Sequence, residues 1–304
     1  MNKVVAISFY YIYGLLFGLI FYGKGTDFEN YRYLYENNIG YGDRDIVYHW
    51  FTMIFASMGV SFSNYFIFYN AFILTLVSRI CMHIAYPRIF FLVYLAGFFL
   101  YFHFNAMRQG LATIFFIWII STLKGQSFMS RAMHVITIGV HASVSALVMS
   151  QIMEKNSKRY FLMLGLAAFI SVGYLYSISN PEINIIYAAY FINEGIISED
   201  KIFWALIFKA CVVVYFCYIY PDIKFIGAIV VTLILLTHFL SLAFSRIIDP
   251  FFLLFLFRLF EVNRKFTMRS ILLIILLIAV SSLSTINIAL KDCESLDAGW
   301  CFNG

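Results

Sequence analysis

The chain has 304 residues, of which 62% are apolar, 20% aromatic and only 12% charged. Soluble domains run at roughly 45–50% apolar and roughly 25% charged, and 21 Lys and Arg with 16 Asp and Glu cannot coat a water-soluble body of this size. A net charge of +5 does not imply a nucleic-acid partner, because the bases stand singly or in pairs between apolar runs and form no basic stripe.

A helix needs about 20 apolar residues to cross roughly 30 Å of hydrocarbon. Residues 4–22 follow Lys3 and end without a small-residue cleavage site, which predicts a retained first span and not a removed signal peptide. The loop GKGTDFENYRYLYENN comes next and is the most polar aromatic segment of the chain. Asp27 is placed there to cap a helix on which Tyr31 and Tyr35 follow at i+4 and i+8, one aromatic face beside a carboxylate. Such a face suits a sugar, with rings on its apolar side and the acid on its hydroxyls; an interfacial tyrosine belt is the plainer alternative. Residues 46–60 (IVYHWFTMIFASMGV) are too short to cross comfortably and are expected to lie at the outer interface, with Tyr48 and Trp50 at headgroup depth.

Spans are predicted over 64–84, 89–103 and 106–123. Where the last of these opens, in YFHFNAMRQGLATIF, Asn105, Arg108 and Gln109 stand at i, i+3 and i+4 and are expected to share one helical face, with His103 nearby. That face would present an amide, a guanidinium and a second amide to one polar ligand, or Arg108 would simply snorkel to the headgroups. Residues 128–153 have basic flanks on both sides, which a single crossing would divide. A re-entrant pair of short helices turning near Gly139 to Ser143 keeps both flanks inside, and its turn carries His141. After a span at 160–177 and an outer loop at 178–200, spans are predicted at 201–220, 223–244, 247–261 and 270–290. Arg246 lies at the outer end of 223–244 in FSRIIDPFF, three residues before Asp249; an internal ion pair and a shared polar cavity, with His238 two turns earlier, are the two readings. Cys81, Cys211 and Cys217 lie in apolar stretches without metal-ligand spacing, while Cys293 and Cys301 flank an acidic tail as either a loop-closing pair or free thiols.

Lys and Arg concentrate in cytoplasmic loops. With the N-terminus inside, the inner segments hold thirteen bases and three acids, and the outer segments thirteen acids and seven bases. The expected fold is therefore all-α: a polytopic membrane protein of about nine full spans plus the re-entrant pair, N-terminus in and C-terminus out. Without an internal repeat or linker the chain is taken as one domain, 1–304, with interfacial helices over 23–63. The outer side gathers arginines, whose forked guanidinium suits phosphate oxygens, together with tyrosines and a carboxylate suited to hydroxylated groups.

The TDFENYRYLY loop, the FNAMRQGLA helix start, the VHASVSAL turn and the SRIIDPFF segment resemble, in order and spacing, the EpsG family of Wzy-type polysaccharide polymerases. The most specific piece is Asn105-x-x-Arg108-Gln109 followed by His141, with Asp27-x-x-x-Tyr31 upstream. This resemblance implies a GT-C-like helical glycosyltransferase of the bacterial inner membrane. It would join oligosaccharide units carried on undecaprenyl diphosphate into O-antigen of lipopolysaccharide, capsule or exopolysaccharide, on the periplasmic or outer face. A chain-length regulator and a flippase of the same pathway would be its partners. Arg108 and Arg246 are then expected at the lipid diphosphate, where negative charge develops. His141 would serve as a further donor or proton carrier and Asp27 as general base, with Asn105, Gln109, Tyr31, Tyr35 and Arg32 binding substrate. Two arginines and no carboxylate cluster predict metal independence and no cofactor. Other lipid-linked glycosyl transfer, including O-antigen ligation, stays open as an alternative; a flippase usually shows two related halves, which this chain does not.

Overall fold

A computed structural model describes residues 3–23, 28–37, 45–123, 128–154, 199–239, 245–261 and 267–295. Asp27, the predicted span 160–177, most of the outer loop 178–200 and Cys301 lie outside the described residues, as do the side chains of Asn105, His238, Arg246 and Cys293. Among the described residues regular structure is helical throughout, apart from a single antiparallel bridge between Ile84 and Glu261. The chain is all-α.

In chain order the helices are α1 (Lys3–Ile20), α2 (Phe28–Glu36), α3 (Ile46–Ser57), α4 (Phe62–Met82), α5 (Pro87–Tyr94), α6 (Met107–Thr122), α7 (Phe128–Val140), α8 (Ser145–Glu154), α9 (Glu199–Ile219), α10 (Lys224–Phe239), α11 (Ser245–Leu259) and α12 (Met268–Ser295). Pro87 stands at the first turn of α5, where its fixed φ costs no hydrogen bond. From Tyr94 the helix runs on through two π-helical turns, Leu95–Phe99 and Tyr101–Asn105, and stops at Ala106, whose φ of −131° and ψ of 51° are not helical. A single residue, His141, separates α7 from a 3-10 turn at Ala142–Val144 that leads into α8. Among the described residues α4 is the one helix long and apolar enough to cross a bilayer unaided; Ser61 caps it by accepting from the Asn64 N–H at 3.4 Å.

The described chain forms two compact units, Met1–Ser145 with Phe252–Gly304, and Ala146–Phe251. In the first, α4 carries the core: α1 and α6 both pack along it, α7 covers α6, and α3 lies against α7. Aromatic rings join these helices. Phe28 of α2 meets Tyr22, Phe62 and Phe66 edge-on at 5.1–5.4 Å, and Phe66 reaches Phe104 at 5.3 Å. Phe28 is 1% exposed, and burial of such a ring contributes about 1.5–3 kcal/mol, which adds to the burial of Tyr31 and Tyr35 in holding the short α2 on the bundle. In the second unit α9 and α10 pack side by side.

Candidate functional site

Asp45 precedes α3 at the position where an aspartate normally caps a helix, yet its side chain makes no capping bond. Its carboxylate turns to two distant partners. Oδ2 accepts from Arg108 Nη1, and Oδ1 accepts from His141 Nδ1 at 2.9 Å. The Asp45 side chain is only 3% exposed, while those of Arg108 and His141 are 25% and 24% exposed. A buried anion is thus enclosed by two cation-forming groups that keep an open side. Because an ionised carboxylate only accepts, Nδ1 of His141 must carry the proton, which leaves Nε2 as the ring's other face.

Three elements set this geometry. Arg108 is the second residue of α6, and the Met107 carbonyl beside it accepts from the Tyr69 hydroxyl of α4 at 2.6 Å. Gly110 lets the start of α6 press against the preceding π turn, since a Cβ there would strike the Phe102 carbonyl. His141 sits in the break after α7, whose Gly139 packs onto Val47, two residues after Asp45. Tyr31 of α2 places its ring 5.8 Å from the Arg108 guanidinium carbon, a cation–π distance. Behind it Tyr48 accepts from the Tyr65 hydroxyl at 3.1 Å, and Tyr35 stacks on Tyr65 at 4.8 Å.

The expected site residues fare differently. Arg108, His141 and Tyr31 come together. The single face expected for Asn105, Arg108 and Gln109 does not form, because Ala106 breaks the helix and leaves Asn105 in the π turn before it. Gln109 is 2% exposed, inside the bundle. Tyr35 is 6% exposed and its hydroxyl donates to the Val60 carbonyl at 2.9 Å; burial raises its pKa above the ordinary tyrosine value. Arg32 lies on the exposed side of α2, hydrogen-bonded to Glu36 at 2.9 Å and 3.9 Å from Glu29, and the bond to Glu36 raises its pKa further. Arg246 belongs to the second unit at the start of α11. There Asp249 accepts from Lys209 Nζ at 3.0 Å. Lys209 is the base that the two-sided charge partition leaves unassigned, and it is buried on α9.

His103 is fully buried. Its ring stacks on Phe99 at 4.0 Å and bonds the Tyr94 hydroxyl at 2.6 Å and the Asn70 side chain. Histidine there is a satisfied core group that ties α4 to the π-helical stretch.

Sequence reasoning missed Asp45. Its segment, DRDIVYHWF, reads as one more outer acid ahead of an interfacial helix, and its partners lie 63 and 96 residues away. The available signal is an aspartate directly before an apolar helix, which points to a cap and not to a site.

A strongly apolar chain, helical through its described residues, that holds an Arg–Asp–His cluster where α3 and α6 begin and α7 ends is a membrane-type helical protein with a polar cluster. The chain belongs to the EpsG family, whose description matches residues 3–295. Membership sets it among membrane proteins of polysaccharide biosynthesis with a polymerase-type function. No curated protein and no solved structure matches the chain.

Proposed function

We propose that the protein is a GT-C-like polymerase of the bacterial inner membrane, facing the periplasm or cell exterior. It transfers a growing O-antigen, capsule or exopolysaccharide chain from undecaprenyl diphosphate to the non-reducing end of a new lipid-linked repeat unit. Family membership supports the reaction class. The observation that carries the site is the Arg108–Asp45–His141 cluster, in which the anion is buried and the guanidinium is a quarter exposed.

Glycosyl transfer from a lipid diphosphate breaks the bond between the anomeric carbon and the diphosphate oxygen. Negative charge grows on that oxygen as the acceptor hydroxyl attacks, so a cation fixed at that point lowers the barrier. Asp45 fixes Arg108 in one orientation, which removes the cost of ordering a long side chain during the reaction. Tyr31, only 5% exposed, restricts the guanidinium from its ring face and acts on the site through Arg108, not as a sugar platform. Arg246 is the proposed second cation, and the chain-length regulator and flippase of the pathway are the proposed protein partners.

Deletion of the gene tests this reading. The lipid-linked glycans that accumulate are expected to be complete single repeat units, and Arg108→Ala or Arg246→Ala, expressed at the normal level, should fail to restore polymer. Full-length chains from both variants would remove the arginines from the mechanism.

A further inference from the structure

We infer that His141 is the base that takes the acceptor hydroxyl's proton and that Asp45 is the positioning residue that equips it to do so. The inference rests on the polymerase reading and gives the base's role to a residue other than Asp27. Attack by a sugar hydroxyl on the anomeric carbon forms a C–O bond and releases the lipid diphosphate with the electron pair of the broken bond. The hydroxyl proton needs an acceptor at the same moment. Among the described residues, His141 Nδ1 makes the bond to Asp45 at 2.9 Å, and Nε2 makes none. With Nδ1–H donating to the carboxylate, a neutral ring keeps its lone pair at Nε2. The side chain is 24% exposed while Asp45 is 3% exposed, so part of the ring stays accessible beside a buried carboxylate. Once Nε2 has taken the proton, Asp45 stabilises the imidazolium through its fixed hydrogen bond, as the carboxylate of an acid–histidine pair does in acyl transfer.

The same carboxylate also holds Arg108 through Oδ2. One buried anion therefore orients both the group that receives the proton and the group that meets the leaving diphosphate, and it sets the distance between them. The location of His141 suits this. It occupies the break between α7 and the 3-10 turn, its N–H bonded back to the Thr137 carbonyl at 3.3 Å and its carbonyl accepting from the Val144 N–H at 3.2 Å. The backbone is thus held on both sides of the ring.

The test uses the purified full chain in lipid nanodiscs with a lipid-diphosphate-linked repeat unit, reading donor binding and turnover separately. If the wild-type protein makes no longer glycan, the polymerase reading fails by itself. If it does, His141→Ala is expected to bind donor within about threefold of wild type while turnover falls about 10²–10⁴-fold. Free imidazole should then restore turnover at least tenfold, a response that a structural role for the histidine would not give. Asp45→Asn should lower turnover with a smaller change in KM and should not respond to imidazole. Wild-type turnover in His141→Ala, loss of donor binding in proportion to turnover, or a folded His141→Ala protein deaf to imidazole would each overturn the inference while leaving the polymerase reading in place.

Discussion

Asp45 carries more of the site than any other residue, because two partners from distant parts of the chain depend on its two oxygens. Removing one member of a buried ion pair strands the other charge and costs about 3–5 kcal/mol. Asp45→Ala should accordingly lower the thermal unfolding midpoint clearly and abolish polymer; an unchanged midpoint would mean that Arg108 finds other compensation. Arg108→Lys is the sharper probe of chemistry. Lysine keeps the charge but not the planar fork that reaches a carboxylate and a phosphate together, so polymer yield should fall at least about tenfold with expression unchanged, and wild-type yield would show that charge alone suffices. At this scale Arg108 and His141 were legible, since an arginine at the head of an apolar run and a histidine at a turn in one are expensive and call for a reason. Asp45 was not legible, because its meaning lies in contacts across 63 and 96 residues.

Helix α6 and the π-helical stretch before it decide whether Arg108 arrives in the right place. Each π turn adds one residue and so rotates the downstream helix by about 100° relative to an unbroken α-helix. The π turns set the direction in which α6 leaves this stretch, and the break at Ala106, between Asn105 and Arg108, is why an i, i+3, i+4 pattern through Asn105, Arg108 and Gln109 does not become one face. Apolar periodicity locates a helix but carries no mark of an inserted residue. The close crossing at Gly110 gives a test of this element: a methyl group there meets the Phe102 carbonyl, so Gly110→Ala should destabilise the protein and impair polymer formation. Gly18→Ala serves as the control, since its added carbon would stand 3.7 Å from Asn70 and Phe99, at ordinary contact distance, and both stability and polymer should be retained. Equal behaviour of the two variants, measured as melting midpoint and polymer length, would show that the crossing at Gly110 is not tight. The Tyr69 hydroxyl on the Met107 carbonyl supports the same helix start from α4.

For the whole molecule, composition was sufficient to foresee an all-α body, because a chain 62% apolar and 12% charged has few ways to satisfy its backbone other than helices. The division into two compact units was not foreseeable. Its boundaries fall at Ser145 and Phe252, inside α8 and α11, so no change of composition marks them. Lys209 shows the same limit: it is the lone charge in the apolar run from Ile202 to Ile219, and its partner Asp249 lies 40 residues on. The proposed polymerase therefore rests on family membership for its reaction and on one cluster for its chemistry.

The central claim is that this chain alone lengthens lipid-linked glycan through Arg108. The most direct test incubates purified protein with a single lipid-diphosphate-linked repeat unit in excess EDTA and resolves the products by length. The account predicts a ladder of increasing repeats from the wild-type protein and single repeats only from Arg108→Ala; no ladder from the wild type, or the same ladder from the variant, would contradict it.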